Sequence, residues 1–378
     1  MRSSVVNISK NVFAAVLEIF ESKAKDGKVI EYGEKNAFPQ RLIKTIEASP
    51  TAIQALDKKA SFILADGFVN REFAAIKNVK GQTMDEVLAD IADQDAWFEG
   101  RTYRVLYNLE GQVASVEAVP FETVRKVKGG GFVVNPNFGK KEYKSDEDVY
   151  FPEFNPKIPV EQRLQIIAND GGLANQKGEI YYSFRNRPGK NIYPVPLYYA
   201  GIEDVESDTG LILMEKSNIT QGFNVDLILY TIGEIDDQIK GEDGLTNLER
   251  FRKDLQKFRE PGEKKIMHIQ SDTKDGMPVV APVPLDQMLD GIEKARDRVP
   301  RAVCRHIGVP PVLVGFPNPE GLGNAEAMAN YMKLFQLAIL KSQLAIAADF
   351  KLFFPQYDTT ISTLNIFKDS TAVSNVNQ

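Results

Sequence analysis

Few residues in this 378-residue chain have the types and spacing that chemistry requires. Cys304 and His306 stand two apart beside Arg301 and Arg305, and neighbouring guanidiniums lower a thiol pKa. Residues at i and i+2 of a helix point in different directions, so His306 is poorly placed to act as base for Cys304, and a buried structural thiol is the simpler reading. Asp236-Asp237 and Glu242-Asp243 are carboxylate pairs that could hold a divalent cation. They lack the ligand periodicity of a calcium loop and read as solvated turns. Gly129, Gly130 and Gly131 lie between two strand-like runs and predict a hairpin turn, not a phosphate cradle. The nearest approach to a P-loop, residues 131–141, has Val134 where the first glycine is required. No G-x-S-x-G, H-E-x-x-H or post-strand G-x-G-x-x-G occurs. His268 has no partner at a useful spacing, and Trp97-Phe98 and Tyr181-Tyr182 read as core or contact aromatics. The expectation is no catalytic set, no cofactor site and no metal site.

Composition narrows the classes further. A chain of 378 residues with 43% apolar and 26% charged side chains can bury a sizeable core and forms about two or three folded units. Cys304 is the only cysteine and His268 and His306 the only histidines, which excludes an intramolecular disulfide and a Cys- or His-rich metal centre. The net charge of −6 argues against a DNA-gripping surface over the whole molecule. No run approaches the ~18 apolar residues of a membrane span, and Asn7, Lys10, Asn11 and Glu18 break the N-terminal stretch. The expectation is a chain made in the cytoplasm, with no membrane partner.

The elements that must position any function alternate in texture. Residues 37–68 predict two helices meeting at Ser49-Pro50, an N-cap with proline at the first helical position. Residues 83–98 predict another helix. After Gly100, residues 102–108 and 112–119 read as a hairpin, 121–127 and 132–134 as a second strand pair, and 141–151 and 180–184 as further strands, with 152–159 irregular. Helices follow at 197–221, 246–259, 286–308 and 325–350, with strands at 225–232 and 265–270. Pro300 is expected to kink or split the third of these helices, and Asn324 to cap the last. Residues 358–378, rich in Ser, Thr and Asn, read as loosely ordered.

The order of the pieces carries a resemblance. Asn36-Ala-Phe-Pro-Gln-Arg-Leu-Ile precedes Ser49-Pro-Thr-Ala-Ile and Phe62-Ile-Leu-Ala-Asp-Gly-Phe. Much later, His306-Ile-Gly-Val-Pro-Pro-Val-Leu-Val-Gly leads to Gly323-Asn-Ala-Glu-Ala-Met and a long helix. Over about residues 30–355 the chain resembles the portal proteins of tailed double-stranded DNA bacteriophages, whose short motifs follow one another in this order. The resemblance implies an α+β portal fold: a mixed α/β wing at 1–196, a first stem helix at 197–222, an α/β clip at 223–284 and a second stem helix at 285–308. A tunnel loop at 309–324, a long wing helix at 325–350 and a short C-terminal segment at 351–378 complete it, the last a reduced crown.

The same resemblance implies a homo-oligomeric ring, typically a dodecamer, at the capsid vertex of a virion, and a subunit without catalysis. Double-stranded DNA would pass through the ring during packaging and ejection. The terminase large subunit, the major capsid protein and a head–tail adaptor would be its partners. Glu293, Arg296, Asp297 and Arg301 would line the channel. Gly315, Phe316, Asn318, Glu320, Gly321 and Leu322 would form its tunnel loop, and Arg252, Lys253 and Lys257 on the clip would dock terminase and adaptor. Two features of the residues agree. The stretch 286–305 carries four acids (Asp286, Asp290, Glu293, Asp297) against five bases (Lys294, Arg296, Arg298, Arg301, Arg305), more polar than a core helix and close to neutral. Such a surface lets DNA slide, whereas each net phosphate contact would add friction. The three glycines and two prolines of 315–324 suit an adaptable loop. The alternatives are a metal-dependent hydrolase built on the carboxylate pairs, or another head–tail connector component.

Overall fold

A computed structural model describes residues 27–221, 227–232, 246, 249, 266–271, 285–316 and 325–363. The chain divides into two compact units, one formed by residues 1–202 with 301–378 and the other by Glu203–Pro300.

In the first unit, helix α1 (Phe38–Ala48) ends at Ser49, and α2 (Pro50–Leu64) starts there. The Ser49 hydroxyl accepts from the Ala52 N–H at 3.1 Å, and Pro50 fills the first helical position, where no donor is needed. Thr83 and Glu86 form a reciprocal capping box that opens α3 (Met84–Phe98). The buried stripe of α3 runs through Met84, Val87, Leu88, Ile91 and Ala92, and continues into Asp95. A strong hydrophobic driving force thus pulls an acid into the core along with its neighbours.

Strands β1 (Gly100–Tyr107), β2 (Val113–Ala118) and the later β6 (Glu179–Phe184) form an antiparallel sheet in the order β2-β1-β6. Val105 sits opposite Val116 on one side, and Thr102 opposite Tyr182 on the other. Strands β3 (Val124–Lys126), β4 (Phe132–Val134) and β5 (Val149–Phe151) form a second antiparallel sheet in sequence order. The triple glycine falls in the β3–β4 turn, each glycine at positive φ, so the hairpin reading holds. Strand content over 141–151 is shorter than expected, because only Val149–Phe151 pairs. Tyr143 and Asn135 both donate to the Asp148 carboxylate, which fastens residues 143–148 as turns. Helix α4 (Val160–Asn169), absent from the sequence reading, follows Pro159.

Helix α5 (Ile202–Gln221) belongs to the second unit from Glu203 onward. There β7 (Leu227–Ile232) pairs in parallel with β8 (Ile266–Ser271), Leu227 opposite Ile266. Thr246 N–H donates to Glu249 at 2.9 Å, and Glu249 N–H to the Thr246 hydroxyl at 3.2 Å, a reciprocal capping box; the rest of the helix expected over 246–259 lies outside the described residues. Helix α6 (Leu285–Ile307) is not split at Pro300; it stays helical through that residue.

Helix α7 (Ala325–Phe353) closes the first unit, burying Phe335, Ile339, Ile346, Phe350 and Phe353. Phe350 meets Phe68, Phe73 and Tyr103 edge-on at centroid distances of 5.0–6.1 Å. The Gln343 amide donates to the carbonyls of Phe62 and Ile63, satisfying acceptors that the end of α2 leaves orphaned. Residues 358–363 are better fixed than their composition suggested, and 364–378 lie outside the described residues. Val69 donates to Thr360, Ser362 donates to Gly67, and Ile361 is buried.

Candidate functional site

The described chain concentrates its buried charge at one place in the first unit. Arg101, on β1, donates from Nη1 to Asp95 at 2.5 Å and from Nε to Asp349 at 2.8 Å. All three are almost fully buried. The Tyr103 and Tyr181 hydroxyls and Ser183 also donate to Asp349, so its two oxygens are saturated. Burial works to lower the Arg101 pKa, but the two carboxylates outweigh it and hold the guanidinium charged.

A second acid lies close by. Glu99 ends α3 in the left-handed region (φ 51), a conformation that costs a non-glycine residue about 1 kcal/mol or more. Its side chain accounts for the position, accepting from Arg187 and from the Leu197 N–H at 3.1 Å, with Arg185 at 3.9 Å.

Between these groups and α7 opens a cavity of about 490 Å³. Its walls are Lys59, Asp95, Glu99, Arg101, Arg185, Tyr198, Arg305, His306, Lys341 and Ser342, with an apolar side of Phe184, Leu197, Ile307, Phe335, Ala338 and Ile339. The acids there are committed to Arg101, Arg185 and Arg187. Burial lowers the Lys59 pKa, Glu99 and Asp95 pull it back up, and Arg185 and Arg187 lower it further. The enclosure is thus cation-rich and half-apolar, suited to an anionic group carried on an apolar frame.

Among the expected site residues, Glu293, Arg296 and Asp297 are exposed and Arg301 is half-buried, all on α6. Arg296 lies 2.6 Å from the Glu215 carboxylate of α5, tying the two long helices of the second unit together. Gly315 adopts φ 96 at the end of a short 3-10 turn, Pro311–Val314, and Phe316 is half-buried. Asn318, Glu320, Gly321 and Leu322 lie outside the described residues, as do Arg252, Lys253 and Lys257 and the carboxylate pairs at 236–237 and 242–243. Cys304 is buried. The His306 ring packs against Gly201, where any Cβ would collide with it. Among the described residues no group of His, Cys, Asp and Glu could hold a metal ion, and no helix is long and apolar enough to cross a membrane.

The Arg101 cluster and its cavity were not foreseen. The signal existed: Asp95 and Asp349 both fall on the apolar rows of their helices, where an ionised group requires a buried cation.

No protein-family model matches the chain, and no curated protein matches it. Solved structures do. A chain in the virion of a native gene transfer agent particle superposes with a TM-score of 0.54 at 14% identity, covering 88% of this chain and 84% of the other. A chain in the neck of the empty particle, computed with C6 symmetry, gives 0.54 at 13% identity over 92% and 88%. A neck chain of the native particle, computed with C12 symmetry, gives 0.54 at 14% over 87% and 84%. The chain therefore has the α+β fold of these virion and neck chains over nearly its whole length.

Proposed function

We infer that this chain is a portal-type subunit: a structural head–tail component of a virion that assembles into a ring and conducts double-stranded DNA. The observation that carries the reading is the neck-chain fold spanning about nine-tenths of the chain, alongside the independent order of short motifs from Asn36 to Met328. The two-unit division supports it, because Glu203–Pro300 falls where stem helices and clip were expected, and residues 1–202 with 301–378 where the wing was expected.

In this reading α5 and α6 are the stem, and the exposed, charge-alternating surface of Glu293, Lys294, Arg296, Asp297 and Arg298 faces the channel. A near-neutral wall keeps phosphate attraction weak and the polymer mobile. Residues 309–324 form the tunnel loop and 223–284 the clip, where Arg252, Lys253 and Lys257 meet terminase and later the adaptor. The major capsid protein surrounds the wing. Nucleotide hydrolysis belongs to the terminase, in keeping with the missing P-loop.

Electron microscopy of the purified chain tests this directly. A closed ring with a central hole, wide enough for the ~20 Å duplex, is expected. Particles no larger than dimers over a range of salt and concentration, with and without a scaffolding protein, would overturn it.

A further inference from the structure

We propose that the outer face of α7, with the cation-rich cavity on its flank, is the seat of a neighbouring copy of this chain, which places an acidic side chain in the cavity and apolar side chains on the helix. The proposal rests on the ring reading and names the surface through which the ring closes.

The first observation is apolar. Opposite its buried row, α7 exposes Leu334 (65%), Leu337 (67%), Leu340 (40%) and Leu344 (63%). Spacings of three and four residues put them on one face, about 15 Å long from first to last. Four large leucines left in water on one helix mark a surface that another protein covers.

The second observation is electrostatic. Between Ala327 and Asp349 the helix carries Lys333 and Lys341 and no carboxylate. Lys341, four residues after Leu337 and three before Leu344, also lines the cavity and so joins the two surfaces. Within the cavity Lys59 and Arg305 form no ion pair with any described residue, while Asp95 and Glu99 are taken up by other arginines. An occupant must therefore be apolar on one side and acidic on the other.

This chain supplies that chemistry. Its net charge is −6, and α5 opens with exposed Glu203 and Glu206 and then exposes Ile212 and Leu213. A cyclic ring joins two different patches of the same chain, so a cationic apolar face on one side calls for an acidic apolar one on the other. Lys59 has Asp95 and Glu99 nearby, but arginines hold both, so its burial becomes less costly once a further carboxylate arrives.

The test uses the full chain. Mass photometry of the wild type first establishes whether rings form; wild-type monomers alone would sink the ring reading together with this one. With wild-type rings in hand, Leu334→Ser, Leu337→Ser and Leu344→Ser combined should raise the concentration needed for assembly at least about tenfold. Lys59→Glu with Arg305→Glu should do the same, while circular dichroism shows an unchanged fold. A photocrosslinker at Leu337 in otherwise wild-type chain should yield a two-chain adduct, and this arm stands even if the serine variant misfolds. Rings of normal affinity from both variants, or adducts confined to one chain, would refute the proposal and leave the ring reading intact.

Discussion

Arg101 and Asp349 are 248 residues apart in sequence and 2.8 Å apart in space, Nε to Oδ2, in an almost fully buried contact. Asp95 holds the other side of the same guanidinium at 2.5 Å. Burial pushes the Asp349 pKa up, and Arg101 and its hydrogen-bond donors pull it back down.

Because the cluster is out of water, deleting Asp349 leaves Arg101 paired with Asp95 alone and strands the donors that Asp349 satisfied, Arg101 Nε, Tyr103, Tyr181 and Ser183. Asp349→Ala is expected to destabilise the first unit by about 1–3 kcal/mol, the cost of leaving buried donors unsatisfied. Asp349→Asn should be milder, since the amide oxygen still accepts from Arg101 or Tyr103. Urea denaturation of both variants checks the order; equal losses would mean that packing, not charge, dominates.

Lys59 gives a pH signature. Its folded pKa is lowered, chiefly by burial, so the folded chain holds fewer protons than the unfolded chain between that lowered value and the ordinary lysine value. The penalty is full below the folded pKa and fades as pH rises through it. Lys59→Met should therefore stabilise the free subunit at neutral pH, and its advantage should shrink toward alkaline pH. Thermal melts across the alkaline range measure this; an advantage that grows with pH would contradict it.

Arg296 and Glu215 should behave differently from the buried cluster. The arginine is 57% exposed, so the pair is screened and worth under about 1 kcal/mol in the free chain. A double-mutant cycle with Arg296→Ala and Glu215→Ala should give a small coupling that declines as salt is raised. A coupling of several kcal/mol would show that the pair is shielded in solution.

For the proposed tunnel loop, deletion of residues 316–322 should leave rings intact and impair packaging or retention of DNA. The flanks are separately anchored, by the Pro311–Val314 turn with Gly315 on one side and by α7 on the other. Ring loss instead would assign these residues to subunit contacts.

Much of the architecture was legible in local chemistry. Ser49-Pro50, Thr83 with Glu86, and the glycine turn at 129–131 are side-chain and backbone signals that act within a few residues. The fold likeness to virion and neck chains agrees with the α+β fold that the motif order implied. Helix α4 escaped because no side-chain cap announces it and it is short. The strand over 141–151 was overdrawn because the Asp148 turn contacts depend on residues that alternation does not reveal. Ile361 and Thr359 looked like tail, yet tertiary contact with Gly67–Val69 holds their segment in place. The cavity drew its walls from six separate stretches of chain, which no periodicity in one stretch can disclose.

The first unit's split in sequence has a bearing on synthesis. Phe350 supplies the edge that Phe68, Phe73 and Tyr103 pack against, and Asp349 the counter-charge for Arg101. A ribosome exposes residues 68–103 long before residue 350, so until then the nascent chain carries an open aromatic trough and Arg101 has Asp95 as its one counter-charge from this cluster. Contacts of such long sequence separation are slow to close. The core of the first unit therefore closes only once residues 349 and 350 have emerged, well after the residues they pack against.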